Sequence, residues 1–262
     1  MNSIHAYLLK FLIFLVAIMS FSMTRAQDKA DSLKLEKMRA ESGVDPTRVM
    51  SRAGYTLLIY DKSGPAGQIN NRLSMNVGVN RWSFSAKYDA VMMTPVNPGE
   101  GFESGFGDMK FSVLNAFYVK GKNALAGSVE FSLPTGKPGI GSQYFTATPS
   151  LTYSYTINPT LFLAFQPQYT FALMKDPLYP EISVLTIRAF LAKFTKTGYF
   201  FVIEPRPVFD FGNDSFDLIV SPIIGKALGG GFNFIMLAEF PTKSSSYETK
   251  GALYQFGFNK SF

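Results

Sequence analysis

The chain has 262 residues, a formal net charge of +6, 15% aromatic against 17% charged residues, and no cysteine. With no long Lys/Arg cluster, this composition argues against a nucleic-acid partner and toward aromatic-rich strands. The missing cysteines exclude a disulfide framework and any thiolate metal site.

Residues 1–26 read as a cleaved export signal. Lys10 precedes an apolar run from Phe11 to Met23, and Thr24-Arg25-Ala26 before Gln27 supplies small residues at −3 and −1. The run is too short to span a bilayer as a helix, which disfavours the alternative of an N-terminal membrane anchor, and without cysteine there is no lipid attachment. Removing this segment deletes two cations and no acids, leaving 23 cations against 19 acids and a net charge of +4. No later stretch reaches the roughly 18 apolar residues of a transmembrane helix.

Residues 27–51 are charge-rich and nearly free of aromatics, with Leu33, Leu35 and Met38 as a weak apolar stripe. The pattern predicts a short periplasmic segment, either one helix ending before Pro46 or a disordered tail.

From residue 52 to 262 the rhythm changes to period two. In a transmembrane barrel, side chains face lipid and lumen in turn, so each strand shows one apolar row and one polar or mixed row. The clearest cases are 123–133 (Leu125, Val129, Phe131 and Leu133 against Ala126, Ser128, Glu130 and Ser132), 143–156, 161–171 and 232–240. Weaker segments fall at 53–61, 70–79, 81–92, 108–119, 181–194, 198–210 and 215–226, and 251–262 closes the chain. The prediction is an all-β fold, a transmembrane antiparallel up-and-down barrel of about twelve strands in the outer membrane.

Connection lengths agree with this, because such barrels alternate short periplasmic turns with longer outward loops. Tight turns fall at Asn80-Arg81, 120–123, Asn158-Pro159, 196–198 and 228–230, each with Gly, Asn or Pro. Longer loops fall at 62–69, 93–107, 134–142, 173–180 and 241–250, and the outward loop at 212–214 is a short exception. Pro149, Pro167, Pro205 and Pro222 lie mid-strand, where proline cannot donate to a ladder. They are nearly equidistant from their hairpin turns, which points to bulges or non-hydrogen-bonded sites, with loops as the rival reading.

The last strand carries Tyr254, Phe256, Phe258 and Phe262 on one face. An aromatic carboxyl terminus of this kind resembles the signal by which barrel-assembly machinery recognises its substrates. Lys260 breaks the row and sits where a cation can snorkel to water.

Catalysis has little to work with. The one histidine, His5, leaves with the export signal, so triad, thiol and the usual zinc chemistry are removed. A carboxylate-only hydrolase using Glu130, Glu204, Asp217 or Glu239 is the remaining enzymatic alternative. Placing each apolar row against lipid turns Arg72, Lys87, Lys110, Arg188 and Arg206 inward, against Asp89, Glu130, Glu204, Asp210, Asp217 and Glu239. Lipid exposure would cost each Arg or Lys roughly 2–4 kcal/mol at the midplane. These charges form either a salt-bridge scaffold or a selectivity lining. Gly105-Phe-Gly-Asp108 is followed by a strand and not a helix, so it is no phosphate loop, and a calcium site from Glu100, Glu103 and Asp108 lacks support. No cofactor or metal is expected.

The segment from Gly105 to Tyr118, then Phe131-Ser-Leu-Pro-Thr-Gly136 and the strand bearing Pro149, resembles an outer-membrane family named after the meta-pathway of phenol degradation. The resemblance implies a barrel over residues 54–262 and uptake of small aromatic or other hydrophobic molecules. It carries over no binding residue. The sequence thus predicts a transporter or narrow channel, with a non-conducting surface barrel as the alternative; lipid, assembly machinery and a small solute are its expected partners.

Overall fold

The computed structural model describes residues 29–61, 67–94, 101–175, 179–244 and 251–262. The expected export signal and parts of four outward loops lie outside these residues. Among the described residues no helix is long and apolar enough to cross a membrane.

The barrel is built from β1 (Arg52–Asp61), β2 (Gln68–Val79), β3 (Trp82–Met93), β4 (Glu103–Phe106), β5 (Met109–Lys120), β6 (Asn123–Leu133) and β7 (Phe145–Asn158). It continues through β8 (Leu161–Met174), β9 (Ser183–Phe194), β10 (Tyr199–Asp210), β11 (Ser215–Gly229), β12 (Phe232–Ser244) and β13 (Ala252–Ser261). Apart from β4 and β5, which both pair with β3, each strand pairs antiparallel with its sequence neighbour, and β1 closes on β13 from Arg52–Ser261 to Asp61–Ala252. β4 and β5 share one wall position: β4 pairs with the Ala90–Met93 end of β3, and β5 with the Trp82–Lys87 end. The wall therefore has twelve strands, and closure leaves no edge with unpaired amides.

The break inside that shared position is made by Gly107 and Asp108. The Asp108 carboxylate accepts from Gly136 N (2.9 Å), Ser142 N (2.7 Å) and Ser142 Oγ (2.5 Å). A Cβ on Gly136 would lie 2.7 Å from Gly141 Cα, so the two glycines allow the loop to close on the carboxylate. The Gly-Phe-Gly-Asp and Leu-Pro-Thr-Gly segments meet here as a structural clasp, and Asp108 is committed to it.

The two-residue rhythm gives the wall its two faces. On β2, Leu73, Met75, Val77 and Val79 are exposed outward, while Asn70, Arg72, Ser74 and Asn76 turn inward. The turn end, which also holds both ends of the barrel, is ringed outside by Trp82, Phe117, Tyr118, Tyr199, Phe232, Phe258 and Phe262. Phe102, Phe106, Tyr179 and Phe211 ring the loop end, giving an apolar band with two aromatic girdles.

The four mid-strand prolines all lie within strands, so the loop reading fails. They are not bulges either. Pairing of β7 with β8 lapses around Ser150–Gln168 yet resumes in the same register, from Ala147–Phe171 to Tyr153–Phe165. The β9–β10 ladder likewise lapses between Ile203–Leu191 and Val208–Thr186 without a shift. Pro205 pairs with Val220 and Pro222 with Ile203, so this pair is set diagonally across its hairpin rather than opposite. Proline's missing donor removes ladder bonds while leaving the strand path intact. Register shifts occur elsewhere, between Asn115 and Tyr118 and beside Pro241.

The segment before the barrel forms helix α1 (Lys29–Ser42), which ends before Pro46. Its Leu35 and Met38 join a buried cluster with Phe162, Ala164, Phe190, Ala192, Phe194, Phe200 and Val202. Those barrel residues belong to the inward rows of β8, β9 and β10. Residues 34–50 therefore pack against the inner wall at the turn end of the barrel.

Candidate functional site

The inner wall carries a belt of polar side chains. On β2 and β3, Arg72 lies directly opposite Asp89 and binds it through two bonds, Nε–Oδ1 at 2.7 Å and Nη2–Oδ2 at 2.8 Å. Asn70 adds a third donor to that carboxylate at 3.1 Å. Lys87 of β3 lies opposite Lys110 of β5, an unfavourable like-charge pair. It is answered by Glu130 of β6, whose carboxylate takes Lys87 Nζ at 2.7 Å and also feels Lys110 and Arg72.

From β6 the belt continues through hydroxyls and an amide. Ser128 and Ser150 Oγ are 2.7 Å apart, Gln166 Nε2 donates to Ser150 at 3.2 Å, and Arg188 Nη1 donates to Gln166 at 3.4 Å. On β9 and β10, Arg188 binds Glu204 through Nε (2.6 Å) and Nη2 (3.1 Å), and Arg206 Nε donates to the same carboxylate at 3.0 Å. Arg206 Nη1 then reaches Glu239 of β12 at 2.9 Å. Tyr60 of β1 lies within electrostatic range of Glu239, Arg72 and Asp89.

The seam between β9 and β10 has a particular logic. Its ladder lapses at Glu204–Pro207, and in the prevailing register Arg188 stands opposite Arg206. Two guanidinium groups would repel, but Glu204, fully buried between them, neutralises the contact and ties the strands together where ladder bonds are missing.

Lys110, Glu130, Arg188, Glu204, Arg206 and Glu239 thus meet on one belt. Two other inward acids lie on β11 and at the β10–β11 hairpin. Asp217 is buried on β11 opposite Val208. Asp210 caps the short β10–β11 hairpin, accepting from Gly212 N (3.0 Å) and Asn213 N (3.1 Å).

Tyr254, Phe256, Phe258 and Phe262 occupy the outward row of the closing strand. Phe258 stacks on Phe232 with centroids 5.5 Å apart, and Lys260 Nζ lies 4.2 Å from the Phe232 ring centre while donating to Gly230 O. Phe262 N donates to Ser51 O at 3.0 Å, fastening the terminus to the first strand.

Between the belt and the turn end the lumen changes character. Phe162, Phe190, Phe194 and Phe200 point inward, Phe162 stacking on Phe194 (6.1 Å) and Phe194 on Phe200 (5.4 Å). Gly225 on β11 makes room for this, since a Cβ there would lie 2.0 Å from the Phe200 ring. Leu35 and Met38 fill the chamber, each contributing roughly 1.5–3 kcal/mol of apolar burial.

Polar contacts hold the plug in register. Arg39, 4% exposed, donates from Nε to Asp45 (2.6 Å), from Nη1 to Thr156 Oγ1 (2.6 Å) and from Nη2 to Ser154 Oγ (2.8 Å). Its guanidinium carbon lies 3.9 Å over the Phe162 ring. Burial pulls the Arg39 pKa below its ordinary value, opposed by the Asp45 charge. The Glu41 carbonyl accepts from Asn233 Nδ2 (3.1 Å) and Ser261 Oγ (2.9 Å), and Met50 O accepts from Asn76 Nδ2 (2.6 Å). At Gly43, φ is +74° and a Cβ would meet the Arg52 guanidinium at 1.7 Å, so a glycine is required where the plug turns toward β1.

Sequence reasoning did not find the plug or its bed. One signal was available: Phe162, Phe190, Phe194 and Phe200 place large apolar groups on a row that should be polar. Apolar residues on both faces of adjacent strands mean that something covers the second face.

No protein-family model matches the chain, and no curated protein matches its sequence. Solved structures do match. An outer membrane channel from Pseudomonas putida F1 aligns with a TM-score of 0.64 at 10% identity, covering 82% of this chain and 96% of that one. The KdgM porin aligns at 0.58 and 10% identity, over 80% of this chain and 99% of that one. The NanC porin aligns at 0.56 and 11% identity, over 82% and 98%. At such identities the likeness is one of fold, and the fold is the closed antiparallel barrel that this chain has in common with those outer-membrane channels and porins.

Proposed function

We propose that the protein is an outer-membrane channel for small solutes, inserted with its turn end toward the periplasm and held shut there by residues 34–50. The observation that carries this reading is the inward-facing chamber occupied by Leu35 and Met38. A purely structural barrel fills its interior with its own wall side chains; here a separate segment does so, through contacts that can be undone without breaking the wall.

The belt and the chamber together favour solutes with both a polar and an apolar part. The belt sets five cations against four acids, a near balance that presents no strong field of one sign. The chamber below it is aromatic, in keeping with the small aromatic or other hydrophobic cargo that the family resemblance implies. Its bonding is arranged for passage rather than reaction, with every belt carboxylate engaged by a cation.

The test is planar-bilayer recording of the full mature chain beside a variant lacking residues 29–50. The full chain should conduct rarely and the variant persistently, in discrete steps. If the variant folds, resists heat in detergent and still conducts nothing at any voltage, the barrel is a closed structural one. Arg188→Ala and Arg206→Ala should then change ion selectivity in the open variant if the belt lines the path.

A further inference from the structure

The outer rim of the turn end is one-signed. Arg81, Lys120, Lys122, Lys196, Lys226 and Lys260 lie in or beside its turns. None of residues 79–83, 117–123, 157–161, 193–199, 226–232 and 258–262 is Asp or Glu. The loop end leans the other way: among described residues Asp61, Glu103, Asp108, Glu181, Asp210 and Asp214 stand there against Lys137, Lys175 and Lys243.

The rim cations are also placed in a recurring way. Arg81 Nη1 donates to Phe117 O of the next hairpin at 3.0 Å, and Lys122 Nζ to Ile157 O at 3.1 Å. Lys226 Nζ donates to Thr197 O at 2.6 Å, and Lys260 Nζ to Gly230 O. Two of them stand over aromatic rings, Lys226 at 3.7 Å from the Tyr199 centre and Lys260 at 4.2 Å from that of Phe232. Each side chain is thereby pinned to the rim at the level of the aromatic girdle. A guanidinium has five donors and an ammonium three, so one bond to a carbonyl leaves the others to act outward.

We infer that this rim is a binding surface for the headgroups of anionic glycerophospholipids in the periplasmic leaflet. The inference rests on the orientation given under the proposed function. Aromatic side chains fix the rim at the glycerol and headgroup level, and held cations there meet phosphate-bearing lipid with matching charge. Among the described residues the loop end carries more acids than cations, so the expected preference belongs to one leaflet.

Native mass spectrometry of the detergent-solubilised full barrel, titrated with phosphatidylglycerol or phosphatidylcholine, tests this. A cation at an anionic surface gives roughly a fivefold gain. Because Arg81, Lys122, Lys226 and Lys260 also hold carbonyls, the expected preference for phosphatidylglycerol is about tenfold in total. The fourfold variant R81Q/K122Q/K226Q/K260Q should lose it, while K137Q/K175Q at the loop end should keep it. If the fourfold variant fails to fold, K120Q/K122Q, confined to one turn, should lower the preference about threefold. No preference in the native chain, or an undiminished preference in the rim variants, overturns the inference. The readout is lipid retention and is indifferent to conduction, so a barrel that never conducts yet retains the anionic lipid refutes the channel alone.

Discussion

Arg39→Ala isolates the latch of the plug. The side chain is buried, makes three hydrogen bonds and covers the Phe162 ring, and its partner Asp45 is fully buried. Removing one member of a buried ion pair costs roughly 3–5 kcal/mol, chiefly because the other charge is left behind. Asp45 keeps some support, from Thr47 N at 2.9 Å, Thr47 Oγ1 at 2.7 Å and Arg48 at 3.8 Å, which places the loss near the lower bound, about 3 kcal/mol. Only the seated plug suffers this loss, so the balance between seated and withdrawn states moves by about a hundredfold. A channel open about 1% of the time would then be open about half the time. Single-channel recording at fixed voltage and salt measures that fraction directly. If R39A opens no more often than the native chain while deletion of residues 29–50 does conduct, the latch is misassigned.

Glu204→Gln removes the carboxylate that separates Arg188 from Arg206, and stability against urea should fall by about 3 kcal/mol. Trp82, the one tryptophan, reports the transition by fluorescence, and an unchanged midpoint would count against the role of Glu204 in the seam. Gly225→Ala should displace Phe200 from the chamber, costing roughly 1–3 kcal/mol of overpacking and raising conduction together; a variant indistinguishable from the native barrel in both refutes the packing argument. Phe262→Ala keeps the backbone bond to Ser51, so refolding from urea into detergent should be unaffected while recovery of folded barrel from cells drops severalfold. Equal losses in both settings would make Phe262 a packing residue and not an assembly signal.

The wall was legible because its signal is local. A strand such as β6 records in eleven residues which side meets hydrocarbon, and the turns at Asn80, Gly121 and Gly198 carry residues that accept positive φ. The inward direction of Glu204 or Lys110 follows from the same parity. Their partners do not, because Arg206 finds Glu239 across an intervening strand and Arg39 finds Ser154 at a separation of 115 residues. The fate of α1 was hidden for a related reason. Two apolar residues one turn apart, Leu35 and Met38, are too few to distinguish a helix on a surface from one inside a mouth. Proline was legible in part: of the two expectations for Pro149 and Pro205, a bulge or a non-hydrogen-bonded site, the wall shows the second, holding register through a local loss of bonds.

The seam between the first and last strands sets a condition on how this molecule comes into being. It joins residues about two hundred positions apart in the chain, Arg52 to Ser261, whereas the other neighbouring strands follow one another in sequence. Hairpins can therefore form early and cheaply, but the cylinder has an exposed, adhesive margin on both sides until the last strand is in place. A chain halted anywhere before its final strand would be left with two sticky borders, so the ten residues of that strand decide whether the wall is a sealed cylinder or an open, self-associating sheet.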